Sequence, residues 1–161
     1  MTNEVAFNAA KAALSLYGGF FKDVVQEIGL EKAVSLHAKQ GEAFVALLVQ
    51  MTRARLGDKT LDLNTLASVY SEAMAVFGMT PQIEEAPNSV TLGWRQCPIY
   101  EGLRMAGLEH DTIEAMCKGW ADVEQAQLNK AFPQLTVAAK FRPAPDQPCV
   151  QEFALSPKPG A

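Results

Sequence analysis

Apolar residues recur at a helical spacing through the first part of the chain. Between residues 4 and 28 they stand three or four positions apart, at Val5, Ala9, Ala12, Leu16, Phe20, Val24 and Ile28. This period predicts a helix. Gly29 is expected to end it, and the pair Gly18-Gly19 is expected to break or kink it.

Two more helices are predicted before the pattern changes. One covers residues 31–55 and the other residues 62–77, with Gly78 as its stop. Two short segments follow, residues 82–86 and 89–96, and Pro87-Asn88 between them is typical of a turn. These segments predict a first β-hairpin, which leads directly into Cys97.

Helical and strand signals alternate again in the last third of the chain. Pro98 suits the first turn of a helix, because its missing N–H group has no helical partner there. Asp111 with Glu114 three residues on predicts a capping box at the start of a longer helix, which Pro133 ends. Residues 135–143 and 149–155 predict a second hairpin.

The order of helices, hairpin, helices and hairpin predicts an α+β fold. We expect the two hairpins to form an antiparallel sheet with the helices packed on it. Residues 1–155 are expected to form a single domain and residues 156–161 a disordered tail.

Composition and charge limit the classes of protein to which this chain is expected to belong. Its 161 residues are 48% hydrophobic and 20% charged, which is typical of a soluble globular protein. A net charge of −4 with no Lys/Arg-rich run indicates no nucleic-acid partner. No apolar stretch reaches the roughly 20 residues that span a bilayer, so we expect no membrane partner. Three widely spaced cysteines and no secretory signal favour a cytoplasmic location.

Candidate chemistry is limited to the cysteines, the acids and two histidines. The sequence has no phosphate loop, Gly-rich dinucleotide turn, paired-cysteine zinc motif or nucleophile elbow. Cys97 is the first candidate, because a thiol that caps a helix can have a lowered pKa and react as a thiolate. Arg95 could hold a substrate carboxylate, and Trp94 and Tyr100 could wall a pocket. The alternatives are that Cys97 lines a site without reacting or simply fills space.

The other candidates come from the C-terminal half and from His37. Cys117 lies on a predicted helix and could belong to its core-facing stripe. Asp122 and Glu124 could act as acid or base if they face a cleft, as could Glu101, and otherwise lie on a solvated helix surface. Cys149 starts the last strand, and His37 could face a pocket. Cys97, Cys117 and Cys149 with His37 or His110 could bind zinc, but no short-range cysteine pair supports this, and we expect no metal or cofactor.

The cysteine-bearing segments resemble a known family. They are "CPIYEGLRMAGL", "IEAMCKGWADVEQA" and "FPQLTVAAKFRPAPDQPC" followed by "CVQEFAL". Over residues 85–155 they resemble the L-2-amino-thiazoline-4-carboxylic acid hydrolase-like family of small bacterial proteins. The resemblance implies hydrolysis of a cyclic amidine-type C–N compound that bears a carboxylate, with Cys97, Cys117 and Cys149 at matching positions. The chain departs from the family in the spacing of Asp122 and in having Val150 after the last cysteine.

The resemblance leads to two alternative functions. In the first, Cys97 attacks an amidine or imide carbon, Arg95 holds the carboxylate, Asp122 or Glu101 moves protons, and the N–H groups of Ile99 and Tyr100 stabilise the developing charge. In the second, the chain is a non-catalytic small-molecule-binding domain with an apolar pocket, since its order of elements is also similar to four-vinyl-reductase-type domains. Apolar N-terminal helices favour a homodimer.

Overall fold

The computed structural model describes residues 3–156. They form five helices and four strands, which confirms the predicted α+β fold. The elements in chain order are α1 (Glu4–Ile28), α2 (Leu30–Leu56), α3 (Leu63–Ala75), β1 (Gln82–Ala86), β2 (Ser89–Trp94), α4 (Pro98–Met105), α5 (His110–Ala131), β3 (Leu135–Lys140) and β4 (Cys149–Leu155). The tail prediction falls largely on residues 157–161, which lie outside the described residues.

The four strands form one antiparallel sheet in the order β1-β2-β4-β3. Both predicted hairpins are present, and β2 joins them by pairing with β4. Trp94 pairs with Cys149 and Leu92 with Gln151, so these four side chains lie on one face of the sheet. Leu92 and Trp94 are buried on that face, whereas all of β1 is an exposed edge strand. The register therefore places Cys149 and Gln151 beneath the helices.

The helix α1 runs unbroken through Gly18-Gly19, so the predicted break is wrong. Gly18 is buried, and a Cβ atom built on it would lie 2.6 Å from the Cβ of Ala106. Glycine is therefore needed here for the close approach of α1 to the end of α4, rather than for a bend. Gly29 ends α1 as predicted, at φ 82°, and its N–H donates to the carbonyl of Val25.

The predicted apolar stripe of α1 faces outward. Val5 is 82% exposed, Leu16 81% and Phe20 62%, whereas Phe7 and Phe21 are buried. The helical period was therefore recognised correctly, but the packed face lies elsewhere on the helix. The homodimer expected from the apolar N-terminal helices stays a prediction.

The helix α5 begins at His110, and the predicted capping box is wrong. Gly107 turns the chain at φ 78°, and Glu109 then takes the extended N-cap conformation without a side-chain capping bond. Asp111 consequently lies inside the first turn, where its negative charge still interacts favourably with the positive end of the helix dipole. The α3 cap is regular: the side chain of Asp62 accepts a 2.8 Å hydrogen bond from the N–H of Thr65.

Two strands are shorter than predicted. The strand β2 ends at Trp94 instead of residue 96, because the chain leaves the sheet to start α4. The strand β3 ends at Lys140 instead of residue 143, and beyond its end Arg142 turns inward and donates to the carbonyl of Trp94. Both early ends shape the region around Cys97.

Among the described residues 3–156, no helix has the length and apolarity to cross a membrane.

Candidate functional site

Cys97 occupies the N-cap of α4, as the sequence predicts. Its Sγ accepts a hydrogen bond from the backbone N–H of Tyr100 at 3.5 Å, and Pro98 stands in the first turn. The Cys97 side chain is 9% exposed. The predicted lowering of its pKa is wrong, because burial raises the pKa of Cys97 to about 11 and outweighs the N–H donors. Cys97 is therefore a neutral thiol at neutral pH.

The three cysteines lie in one neighbourhood. A charge on Cys149 would raise the pKa of Cys97, and charges on Cys97 and Cys149 would raise that of Cys117. Burial is the larger cause in both cases, so Cys97 and Cys117 are held as thiols. The three are not disulfide-bonded. In the part of the chain that the structure describes, no group of three or more His, Cys, Asp or Glu side chains is arranged to hold a metal ion.

A cavity of about 170 Å³, called the first cavity below, lies between α3, α5 and the helix-facing side of the sheet. Cys117 and Cys149 line it, together with Trp94 and Phe141. Cys97 lines neither this cavity nor the one described below. The sheet register explains the arrangement, because Cys149 is the helix-facing partner of Trp94 at the end of β2.

Glu124 is a buried acid in the wall of the first cavity. The residue is 6% exposed, and its two carboxyl oxygens accept hydrogen bonds from the Tyr70 hydroxyl and from Nε2 of Gln151, each at 2.6 Å. Both donors are uncharged, and burial raises the pKa of Glu124 above its usual range. Burial together with the charge of Glu124 also raises the pKa of Tyr70, which holds this side chain as a phenol.

A second cavity of about 250 Å³ adjoins the first. Its wall contains Leu14, Phe44 and Phe77 from α1, α2 and the segment after α3, and His37 from α2. His37 therefore faces a cavity, which is one of the two positions, pocket or surface, that the sequence leaves open. Its Nδ1 lies 2.9 Å from the hydroxyl of Tyr17, and burial lowers its pKa.

Arg95, the predicted carboxylate ligand, is exposed and lines neither cavity. The buried arginine of this region is Arg142, which is 2% exposed. Its guanidinium donates to the carbonyls of Pro145, Trp94 and Arg95 at 2.9, 3.4 and 3.3 Å, and it lies 4.4 Å from the ring centre of Tyr100. Arg142 thus ties the β3–β4 connection to the segment that precedes Cys97.

Tyr100 has a different place from the one predicted. It lies beneath Arg142, and its hydroxyl is 3.1 Å from Nδ1 of His110. The two residues that were predicted to wall one pocket therefore lie apart. Trp94 lines the first cavity, whereas Tyr100 lines neither cavity.

Of the three predicted acids, Glu124 alone lines a cavity. Asp122 is exposed on α5, and Glu101 forms a 3.5 Å ion pair with Lys11 on the α1–α4 contact. Glu124 is the acid that α5 directs inward. A sequence signal existed for it, because Glu124 stands four residues from Leu128 and from Trp120 on the side of α5 that carries the apolar residues. No such signal marks Arg142, whose position depends on where β3 ends.

No protein-family model and no curated protein sequence matches the chain. The resemblance drawn from the cysteine-bearing segments therefore remains a prediction.

Proposed function

We propose that the protein hydrolyses a small cyclic C–N compound of the amidine type, bound in the first cavity. The observation that carries the proposal is Glu124, a buried carboxyl in the cavity wall whose two hydrogen-bond partners are uncharged. An amidine is protonated at neutral pH and presents two N–H donors in a plane. A carboxylate in an apolar cavity is the complementary group, because charge-assisted hydrogen bonds strengthen where water is excluded.

Two lysines are available for the carboxylate of such a substrate. Lys118 and Lys140 both line the first cavity and are both exposed, which places positive charge on its solvent side. Lys118 also forms a 2.9 Å ion pair with Glu114. A substrate with an amidine at one end and a carboxylate at the other would therefore meet Glu124 inside and an ammonium group near the opening. This arrangement supports the carboxylate-bearing substrate class without Arg95.

The chemistry that these groups support is hydration followed by ring opening. Glu124 accepts a proton from water as the water oxygen bonds to the amidine carbon, giving a tetrahedral intermediate. Glu124 then returns the proton to a ring nitrogen as the C–N bond breaks, leaving an amide and an amine in one open chain. Burial raises the pKa of Glu124, which favours the carboxyl group that holds and then returns the proton.

Cys97 as the nucleophile remains an alternative within this proposal. Its thiol is buried and has a pKa of about 11, so only a small thiolate fraction exists at neutral pH. We therefore assign proton transfer to Glu124 and the attack to water. Cys117 and Cys149 contribute to the wall of the cavity, and burial raises the pKa of Cys117.

The experiment is a turnover assay with 2-aminothiazoline-4-carboxylate, in which mass spectrometry detects the ring-opened product. We expect turnover by the wild type and a loss of at least about 100-fold in kcat for Glu124→Gln, the scale of a general acid–base group. The control is Asp122→Asn, which makes the same change two residues away on the exposed side of α5. This variant should keep the activity of the wild type, because Asp122 does not line the cavity. Full activity in Glu124→Gln, or loss of turnover in Cys97→Ala alone, would overturn the assignment to Glu124.

The apolar walls of both cavities favour a second candidate, a non-catalytic small-molecule-binding domain. Such a domain would bind the compound without converting it. Isothermal titration separates the two functions: stoichiometric binding with no product over many hours favours the binding domain, and multiple turnovers favour the hydrolase.

A further inference from the structure

The second cavity shares part of its wall with the first. Met74, Ile99, Cys117 and Trp120 line both cavities, so the two spaces adjoin across these four side chains. Methionine has three rotatable bonds and adapts its shape to its neighbours. A change of rotamer at Met74 is therefore a low-cost way to let one molecule extend from the first cavity into the second.

The two cavities differ in chemical character. The first contains Glu124 and Gln151, whereas Leu14, Phe44 and Phe77 give the second an apolar wall. The one ionisable nitrogen group of that wall is His37, which packs against the rings of Tyr17, Phe21 and Trp120. Burial holds the imidazole neutral at neutral pH, so the second cavity offers no charge to a ligand.

The size of the second cavity matches a ring or a branched alkyl group. An engineered protein cavity of about 150 Å³ lined by aliphatic and aromatic side chains accepts benzene. The second cavity, at about 250 Å³, is larger and is lined by the same kinds of side chain. A phenyl ring fits with room to spare, and a charged group there would be left without a partner.

We propose that the two cavities form one bipartite site, in which the second cavity holds an aryl or branched-alkyl substituent of the substrate. This inference rests on the proposed function, since it places the amidine ring beside Glu124 in the first cavity. It deepens that function by naming the substrate class: an amphipathic cyclic amidine with a polar ring and an apolar side group. Cys117 and Trp120 would then contact the bond that joins the two parts.

The first test uses toluene as a probe of the second cavity alone, with binding measured by ligand-observed NMR. Wild type should bind toluene, and Leu14→Trp should weaken binding at least about tenfold by filling the space, the scale set by one methylene group in an apolar pocket. Leu16→Trp makes the same change on the same helix at a residue that is 81% exposed, and it should bind toluene like the wild type. Glu124→Gln should also bind toluene normally.

The second test compares 2-aminothiazoline-4-carboxylate with its 5-phenyl derivative. The phenyl compound should have a KM lower by about tenfold or more in the wild type, and this advantage should disappear in Leu14→Trp. If Leu14→Trp does not fold by circular dichroism, Phe44→Ala replaces it. This variant enlarges the cavity and should shift its preference from toluene towards naphthalene.

The two proposals fail in different ways. Toluene binding without any amidine turnover would remove the hydrolase function and leave the apolar compartment in place. Amidine turnover with equal KM for both compounds, or with no toluene binding, would overturn the bipartite site alone. A long-chain lipid retained in native mass spectrometry and displaced by toluene would also overturn it, because the occupant would then not be a substrate group.

Discussion

The hydroxyl of Tyr70 donates a 2.6 Å hydrogen bond to Glu124 in the wall of the first cavity. This bond and the one from Gln151 favour the carboxylate, whereas burial favours the protonated acid. Burial is the larger effect, so the pKa of Glu124 is raised. The uncharged donors limit the rise without supplying a permanent counter-charge. Neither of these two hydrogen bonds pairs Glu124 with a cation.

The raised pKa of Glu124 predicts a pH-dependent stability. Between its unfolded value near 4.5 and its raised folded value, the folded state holds more protons than the unfolded state. The contribution of Glu124 to the free energy of unfolding is therefore fully present below pH 4.5 and is lost as the pH rises through the pKa of Glu124 in the folded state. Relative to Glu124→Gln, the wild type should lose up to about 1.4 kcal/mol of unfolding free energy per pH unit in that window.

Urea denaturation between pH 4 and pH 8 measures this difference. The matched control is Glu84→Gln on the exposed edge strand β1, which should follow the wild type across the range. A constant difference between wild type and Glu124→Gln would show that Glu124 has no raised pKa in the folded protein.

The burial of Cys97 predicts slow alkylation. Because the thiolate is the reactive form and the pKa is about 11, its rate with iodoacetamide should rise about tenfold per pH unit from pH 7 to pH 10 without levelling off. Peptide mass spectrometry follows Cys97 separately from Cys117 and Cys149. The urea-unfolded protein is the reference, where the rate should level off near pH 9. A plateau below pH 9 in the folded protein would restore Cys97 as a thiolate nucleophile.

The sequence predicted the elements because their signals are local. The helical period, Gly29 and the turn at Pro87-Asn88 act within a few residues, and all three are confirmed. The outcome at Gly18 depends instead on a distant residue, Ala106, which occupies the space that a side chain would need. Local propensity predicts a break there, but the tertiary contact makes the same glycine part of a straight helix.

The site was only partly predictable for the same reason. The N-cap position of Cys97 follows from Pro98, but the sign of its pKa shift depends on how much of the fold covers it. Asp122 and Glu124 are two residues apart on α5 and so lie about 200° apart around the helix, and which of them faces the sheet depends on how α5 packs. Arg142 enters the region because β3 ends three residues earlier than its sequence pattern suggests.

The buried guanidinium of Arg142 predicts a large stability cost for its replacement. Arg142→Met removes the donors to the carbonyls of Pro145, Trp94 and Arg95 and the contact with the Tyr100 ring. We expect a loss of about 2–4 kcal/mol by chemical denaturation, since one good hydrogen bond from a charged donor contributes about 1.5–3 kcal/mol and the bonds to Trp94 and Arg95 are long. Arg95→Met makes the same change at an exposed residue and should stay within about 0.5 kcal/mol of wild type. Equal effects of the two replacements would show that Arg142 does not hold this segment.

The neighbouring glycines of α1 predict opposite responses to one substitution. Gly18→Ala places a Cβ 2.6 Å from the Cβ of Ala106 and 3.2 Å from Leu103, so α1 and α4 must separate, at a cost of about 1–3 kcal/mol. Gly19→Ala meets nothing within 4 Å and should stabilise the protein by up to about 1 kcal/mol, because alanine favours the helix. Thermal and urea unfolding measure both variants. The double variant Gly18→Ala with Ala106→Gly should recover most of the loss, since it removes the methyl group that is struck. Stabilisation by Gly18→Ala equal to that by Gly19→Ala would contradict the close contact between α1 and α4.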